Sequence, residues 1–196
     1  IRRFFTLIYN AVMTLQEINA CDFGVGIELA YATHQNFTGQ PVYLHPFCYL
    51  HQDALTALGR ARDAASFIGL KILIYDAFRP TEAQQKLWDH TPDENFLAHP
   101  QKGSPHSRGV AIDLTLADAS GVPLDMGSKF DTFDKISYHG SIEISEKARQ
   151  NRLTLLGLMT ESGWDFYRNE WWHYQLFSPK DYPLISDDSL PNKMMS

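Results

Sequence analysis

The sequence is short of several features that would assign it to a common class of protein. Among its 196 residues, the only cysteines are Cys21 and Cys48, which form no Cys-x-x-Cys metal or redox motif and are too few for a disulfide scaffold. We read both as packing thiols. Acidic residues outnumber basic ones by 23 to 17, and the formal net charge of -6 argues against a nucleic-acid partner.

Long apolar runs and internal repeats are also missing. No stretch approaches the roughly 18 to 20 consecutive apolar residues that a membrane span needs. With 44% hydrophobic and 20% charged residues, the chain has the composition of a globular domain with its own core. We therefore predict a single domain over residues 1–196, with an N-terminal extension at 1–20 and an irregular, fraying tail at 178–196.

The N-terminus contains a pattern that bears on the cellular compartment. Arg2 and Arg3 precede an apolar run to Val12, as in the charged and apolar regions of a signal peptide. Gln16 and Glu17 interrupt the run, and Met13 is a plausible natural start. We expect a cytoplasmic protein, with the periplasm as the alternative.

Apolar periodicity predicts the main helices and strands. Residues 51–67 and 145–162 have the spacing of amphipathic helices, closed by Gly69 and Gly163. A further helix is predicted from Thr81, as N-cap, to about Asp89, with Gln84 completing a capping box. The predicted strands cover residues 27–31, 70–75, 110–116, 124–127, 164–167 and 170–176.

Two separated stretches carry side chains suited to binding a metal ion. His106 and Asp113 flank a glycine turn that runs into an apolar strand, and His173 follows three residues after Glu170 in a second predicted strand. Two histidines and one aspartate can hold zinc with one coordination position open. Glu170 would then be free to act as a general base and later as a general acid.

Each of these residues also has a purely structural interpretation. A histidine beside a tryptophan, as His173 is beside Trp172, is more often a packed side chain than a ligand. Asp113 favours the metal, because a carboxylate within an apolar strand is costly to bury without a cation or N–H donors. The sequence therefore predicts a metal site that requires all three residues together.

Arg79 is the second candidate for a role in catalysis. It follows the predicted strand at 70–75, and its planar, permanently charged fork suits a substrate carboxylate or the oxyanion formed when water attacks a carbonyl. A salt bridge with Asp76 would explain the presence of Arg79 at this position equally well. Asp76 can serve both interpretations if it fixes a guanidinium that faces the substrate.

The candidate residues fall into three motifs, which are Ser104-x-His106-x-x-Gly109-x-Ala111-x-Asp113, Asp76-x-x-Arg79-Pro80 and Glu170-x-Trp172-His173. With these motifs the chain resembles the VanX-type zinc D-alanyl-D-alanine dipeptidases, which belong to a wider group of D,D-peptidases with a Hedgehog-like metal fold. The resemblance extends over roughly residues 27–176, while the segment 134–144 departs most from the family pattern.

The resemblance implies a role for each site residue. It implies one Zn²⁺ per chain on His106, Asp113 and His173, with Glu170 as the catalytic base and Arg79 stabilising the oxyanion. The substrate-binding residues would be Tyr31, Ser104, Asp131 and Asp76. The first three would line a small substrate pocket, with Asp131 as a partner for the substrate's free ammonium.

We therefore expect an α+β domain with a central antiparallel sheet flanked by helices and a single zinc site on the sheet. The expected reaction is hydrolysis of D-alanyl-D-alanine, a small dipeptide, to two D-alanines. One alternative is a D,D- or L,D-carboxypeptidase that acts on longer peptidoglycan peptides. The other is a zinc-stabilised binding module without catalytic activity. The sequence does not choose between a role in dipeptide recycling and one in glycopeptide resistance, and it leaves the oligomeric state open.

Overall fold

The computed structural model describes residues 15–196, so the signal-like pattern at residues 2–12 lies outside the described residues. No helix in the described part combines the length and apolar character needed to cross a bilayer. The strands are Leu15–Glu17 (β1), Gly26–Ile27 (β2), Tyr49–His51 (β3), Lys71–Asp76 (β4), Ala111–Ala117 (β5), Asp165–Phe166 (β6) and His173–Gln175 (β7). The α-helices are Ala20–Phe23 (α1), Gln52–Phe67 (α2), Thr81–His90 (α3) and Glu146–Glu161 (α4).

A five-stranded sheet in the order β2-β4-β5-β7-β6 forms the centre of the fold. Neighbouring strands are antiparallel except at one edge, where β2 runs parallel to β4. Strands β1 and β3 form a separate antiparallel pair. The predicted α+β class with a central sheet is confirmed, with one parallel pairing added to the antiparallel ones.

Helices α2 and α4 cover one face of this sheet. Alternate residues of β5, such as Ile112 and Leu114, share an apolar cluster with Leu58 of α2 and Met159 of α4. Because side chains alternate across a strand, Asp113 and Thr115 lie on the opposite face. Every residue of β5 is buried, so that opposite face is covered as well.

The two long helices begin and end as their sequence predicts. The ring Nδ1 of His51 accepts a hydrogen bond from the backbone N–H of Asp53 at the start of α2, and Ser145 caps Ala148 in the same way at the start of α4. Gly69 and Gly163 follow the two helices with φ of 76° and 94°, a region that favours glycine.

Helix α3 differs from its prediction at the N-terminus. Its N-cap is Pro80, and Thr81 is the first helical residue, so the predicted capping box is wrong. The amide of Gln84 donates instead to the carbonyl of Ala98 at 2.8 Å, and its oxygen accepts from Arg79 at 3.0 Å. A buried glutamine with both groups bonded elsewhere cannot reach back to the helix start.

Four predicted strands are shorter or absent. The strands predicted at 164–167 and 170–176 are reduced to β6 and β7, so Glu170 lies in the connection before β7 and not in a strand as predicted. Strand β2 ends at Ile27, and Ala30–Ala32 form a 3₁₀ turn that contains Tyr31. Residues 124–127 form no strand, because Asp125 accepts a hydrogen bond from the N–H of Gly127, whose φ of 78° turns the chain away.

The C-terminal segment packs against the body of the protein, contrary to the expectation that it frays. Ile185, Leu190 and Met194 join a second apolar cluster with Ala83 and Leu87 of α3. The buried carboxylate of Asp187 accepts hydrogen bonds from the backbone of Met194 and Met195 at 2.7 and 3.2 Å.

Of the two cysteines, Cys48 is buried as expected, whereas Cys21 is exposed and is therefore not a packing thiol.

Candidate metal centre and active site

Three adjacent strands place polar side chains next to one another on the sheet. In the strand register, Asp76 of β4 is paired with Asp113 of β5, and Asp113 is paired with His173 of β7. Directly opposed residues on antiparallel strands have side chains in contact range. The sheet itself thus brings together residues that are far apart in the sequence.

His106 reaches this group from the turn that precedes β5. It begins the 3₁₀ turn His106–Arg108, which ends at Gly109 with a φ of 71°. A Cβ atom at Gly109 would lie 2.5 Å from a methyl group of Leu15 and 3.2 Å from the backbone nitrogen of His51. Both conformation and space therefore require glycine here, which explains its place in the motif.

The three predicted ligand residues converge on one point. His106 Nε2 lies 3.1 Å from His173 Nδ1 and 3.3 Å from Asp113 Oδ1, and His173 Nδ1 lies 3.1 Å from the same oxygen. A tetrahedral zinc ion with bonds of about 2.0 to 2.1 Å separates its ligands by about 3.3 Å. The spacing of the three atoms fits one such ion.

The outer nitrogen of each histidine is held by a hydrogen-bond acceptor. His106 Nδ1 donates to the carbonyl of Ala77 at 2.7 Å, and His173 Nε2 donates to the side-chain oxygen of Gln175 at 3.2 Å. These bonds fix the tautomers, so that both inner nitrogens present lone pairs to each other and to Asp113. Three converging acceptors repel one another, and a zinc ion between them would remove this repulsion.

Asp113 is ionised in this setting. Burial opposes ionisation, whereas positive charge on the neighbouring His106 and His173 lowers the pKa of its carboxyl well below the usual range. A cation held between neutral histidines and the carboxylate would act in the same direction. Its second oxygen, Oδ2, lies 3.6 Å from the guanidinium of Arg79. The carboxylate thus has one oxygen turned to the histidines and one turned to the arginine.

Glu170 lies beside the three ligand residues without belonging to the group. Its Oε2 is 3.8 Å from His173 Nδ1, and the residue is 6% exposed. Burial raises the pKa of Glu170 well above its usual range, and the charges of Asp113 and Asp131 raise it further. A buried carboxyl group with a raised pKa is suited to accept and return a proton.

Arg79 forms the predicted salt bridge with Asp76 and also lines the cavity. Its Nε and one terminal nitrogen bind Asp76 Oδ2 at 3.0 and 2.8 Å, and the other terminal nitrogen binds Gln84 Oε1 at 3.0 Å. Asp76 is held in turn by the hydroxyl of Tyr43 at 2.8 Å. The salt bridge is therefore present, and it fixes a guanidinium that also lines the cavity. This cavity lies beside His106, Asp113 and His173, which we term the metal group.

The cavity has a volume of about 220 Å³ and contains most of the predicted substrate-binding residues. Tyr31, Ser104 and Asp131 line it together with Glu170, whereas Asp76 lies behind Arg79 and does not reach it. The hydroxyl of Ser104 accepts a hydrogen bond from the backbone of His106 at 3.2 Å. Ser104 thereby supports the turn that carries the first histidine.

Asp131 has an unusual position in the cavity wall. Its φ is 59°, which is uncommon for a residue other than glycine. One carboxylate oxygen accepts from the hydroxyl of Tyr31 at 3.0 Å, and the buried other one has no hydrogen-bond partner among residues 15–196. Burial, and then the charge of Asp113, raises the pKa of Asp131 to about 8. A bound cation would offset the free-energy cost of burying the ionised carboxylate.

Little in the sequence marks the residues that support the site. Gln175 lies two positions after His173, on the same face of the strand, and this spacing was the only available hint that it holds the ring. Gln84 and Tyr43 act through contacts that no local pattern encodes.

These features define a metal-dependent hydrolase. A family model described as D-Ala-D-Ala dipeptidase, peptidase family M15, matches residues 11–190. The chain belongs to this family.

Named relatives agree with the family match. The D-alanyl-D-alanine dipeptidase of Escherichia coli (strain K12) is 44% identical over 161 residues, which cover 82% of this chain and 83% of that protein. The one from Enterococcus faecium is 35% identical over 190 residues, covering 86% and 90%. A zinc-bound mutant of the vancomycin resistance D,D-pentapeptidase VanY matches with a TM-score of 0.45 and 17% identity over 68% of this chain and 75% of that one. That likeness is distant, and the family rests on the sequence matches.

Proposed function

We propose that this protein hydrolyses D-alanyl-D-alanine to two D-alanines with one zinc ion held by His106, Asp113 and His173. The observation that carries the proposal is the cavity of about 220 Å³ with the three converging ligands and the unpaired Asp131 carboxylate in its wall. The family match supports the reaction class. We further propose that the catalytic domain is a single unit. The compartment remains a prediction, the cytoplasm, with the periplasm as the alternative.

The residues around the metal group supply the proton transfers of the reaction. When bound, a zinc ion acts as a Lewis acid and lowers the pKa of a coordinated water to about 7. Glu170 takes one proton from the attacking water and returns it to the nitrogen of the leaving amine as the C–N bond breaks. Its raised pKa makes the carboxylate a stronger base towards the proton of the attacking water.

Arg79 stabilises the negative charge that forms on the carbonyl oxygen. Its guanidinium is held by Asp76 and Gln84 before substrate arrives, so little reorganisation is needed as charge develops. Tyr31 packs its ring 4.9 Å from the guanidinium carbon and adds to this support.

Asp131 selects a substrate with a free ammonium group. The ammonium would pair with the carboxylate oxygen that has no partner in the described chain and would favour the ionised form of Asp131. An acylated amine carries no charge and adds bulk at the same point. A substrate that leaves a buried polar group of the site unpaired is strongly disfavoured, so the site discriminates against acylated dipeptides.

A comparison of two substrates tests this function. We expect free D-alanyl-D-alanine to be hydrolysed at least about 10³-fold more efficiently, in kcat/KM, than the N-acetylated dipeptide. The measurement is D-alanine release by the purified, zinc-loaded protein. Equal efficiencies would refute the dipeptidase and favour a carboxypeptidase for longer peptides, and no hydrolysis of either would favour a binding module.

A further inference from the structure

Helix α4 carries a buried arginine outside the active site. Arg152 is only 2% exposed, yet its hydrogen bonds within the described chain go to three backbone carbonyls and one hydroxyl rather than to a carboxylate. Burial, and then the charge of Arg149, lowers the pKa of its guanidinium to about 10, so it remains charged at neutral pH. A buried charge without a counter-ion is costly, which indicates a specific role for the bonds it makes.

These bonds close the base of one segment, residues 126–138, which we term the Asp131 loop. Arg152 donates to the carbonyl of Met126 at 2.6 Å at one end of the loop. It donates to Ile136 and Tyr138 at 2.9 and 3.0 Å at the other end. Between these ends, the regular structure is limited to the 3₁₀ turn Lys135–Ser137. One side chain therefore joins both ends of the loop.

The loop presents Asp131 to the cavity from the middle of this segment. Asp131 has a φ of 59°, a backbone conformation that persists only where the surrounding structure enforces it. Its bond to Tyr31 at 3.0 Å holds the side chain, and the hydrogen bonds of Arg152 tie the two ends of the loop to α4. Asp131 is thus linked, through both ends of its loop, to a residue that does not line the cavity.

The turn with Glu170 has its own connections to the same loop. The backbone N–H of Trp171 donates to the carbonyl of Ser137 at 3.0 Å, and its indole N–H donates to Ser128 Oγ at 2.9 Å. Arg152 also contacts this turn, because its guanidinium carbon lies 5.7 Å from the centre of the Trp171 ring and it donates to the same Ser128 Oγ at 3.4 Å. The backbone bond between Trp171 and Ser137 does not involve Arg152, whereas every hydrogen bond that Arg152 makes within the described chain is to residues 126–138. Loss of the guanidinium should consequently disturb Asp131 more than Glu170 or the metal ligands.

We propose that Arg152 is a positioning residue that fixes Asp131 relative to the metal group, and so sets the affinity for the ammonium of the substrate. This inference rests on the proposed function. Because the ammonium is bound alike in the ground state and the transition state, its loss raises KM more than it lowers kcat. A displacement of about 1 Å costs about 10²-fold in efficiency.

A double-mutant cycle separates this role from a general loss of stability. We expect Arg152→Met and Asp131→Asn each to raise KM for D-alanyl-D-alanine by about 10²-fold, and the double variant to be no worse than Asp131→Asn alone. Bound zinc should stay at one per chain in all three. KM increases that multiply in the double variant, or a loss that falls on kcat alone, would overturn the proposal.

Arg149 provides a matched control on the same helix. It also donates to backbone carbonyls, those of His139 at 2.7 Å and Ser141 at 3.2 Å, but these lie beyond the Asp131 loop. Arg149→Met should leave KM within about twofold of the unmodified protein. If KM rose as much in Arg149→Met as in Arg152→Met, the effect would not be specific to the Asp131 loop, and the proposal would be overturned. Should Arg152→Met fail to fold, Arg152→Lys can replace it, because lysine keeps the charge but lacks the planar guanidinium. We expect KM to rise in Arg152→Lys as well, by a smaller factor.

Hydrogen exchange tests the positioning directly, whatever the substrate. Amides of residues 126–138 should exchange at least about tenfold faster in Arg152→Met, while those of β5 and β7 remain unchanged. Unchanged exchange in the loop would refute the proposal. If the unmodified protein does not hydrolyse the dipeptide, the proposed function fails, and the exchange result still decides whether Arg152 holds the loop.

Discussion

Replacing Glu170 by glutamine is expected to lower kcat by about 10³-fold while the protein keeps its metal. Glutamine has nearly the same shape and cannot take a proton from water. Glu170 Oε2 is 3.8 Å from His173 and outside the group of three converging ligand atoms, so the metal should remain bound. The measurement is single-turnover D-alanine release together with zinc analysis of the same sample.

Glu94→Gln is the matched control for this variant. Glu94 also lines the cavity, but it is exposed and pairs with Lys102 at 3.0 Å. We expect its activity to stay within about twofold of the unmodified protein, as for most exposed positions. A Glu170→Gln variant that retained most of its activity would remove this residue from the proton transfers.

Replacing His106 by alanine is expected to remove both the metal and the activity. The change leaves two of the three converging donors and deletes the nitrogen that lies 3.1 Å from His173. Structural and catalytic zinc sites rely on at least three protein ligands. Zinc content should fall well below one per chain, and dipeptide hydrolysis should fall to background, when the protein is dialysed against metal-free buffer.

His34→Ala controls for the loss of a histidine as such. His34 is exposed, and its ring nitrogen contacts the carbonyl of Gly39 rather than any residue of the metal group. This variant should keep one zinc per chain and full activity. Stoichiometric zinc in His106→Ala would contradict the ligand role of His106.

The parts of the fold that follow from local chemistry were predictable. Helices α2 and α4 have a clear apolar period and a closing glycine, and each appears where these signals place it. Asp113 was informative for a different reason, since a carboxylate inside an apolar strand needs a partner. Such signals depend on a few neighbouring residues, and the sequence displays them directly.

The parts that depend on distant contacts were not predictable. Asp187 holds the C-terminal segment through the backbone of Met194, and no periodic pattern marks such a bond. Gln84 has the right spacing for a capping box, but its contacts with Arg79 and Ala98 determine its conformation instead. The left-handed backbone of Asp131 is likewise enforced by the surrounding structure rather than by its own residue type.

Metal removal and restoration test the central claim most directly. The purified protein is treated with a chelator, dialysed, and assayed for D-alanine release from D-alanyl-D-alanine as zinc is added back. We expect no hydrolysis without metal and full recovery at one zinc per chain, with the ion held by the three converging atoms of His106, Asp113 and His173. Hydrolysis that persists in the metal-free protein, or recovery that requires more than one ion per chain, would contradict a single-zinc dipeptidase.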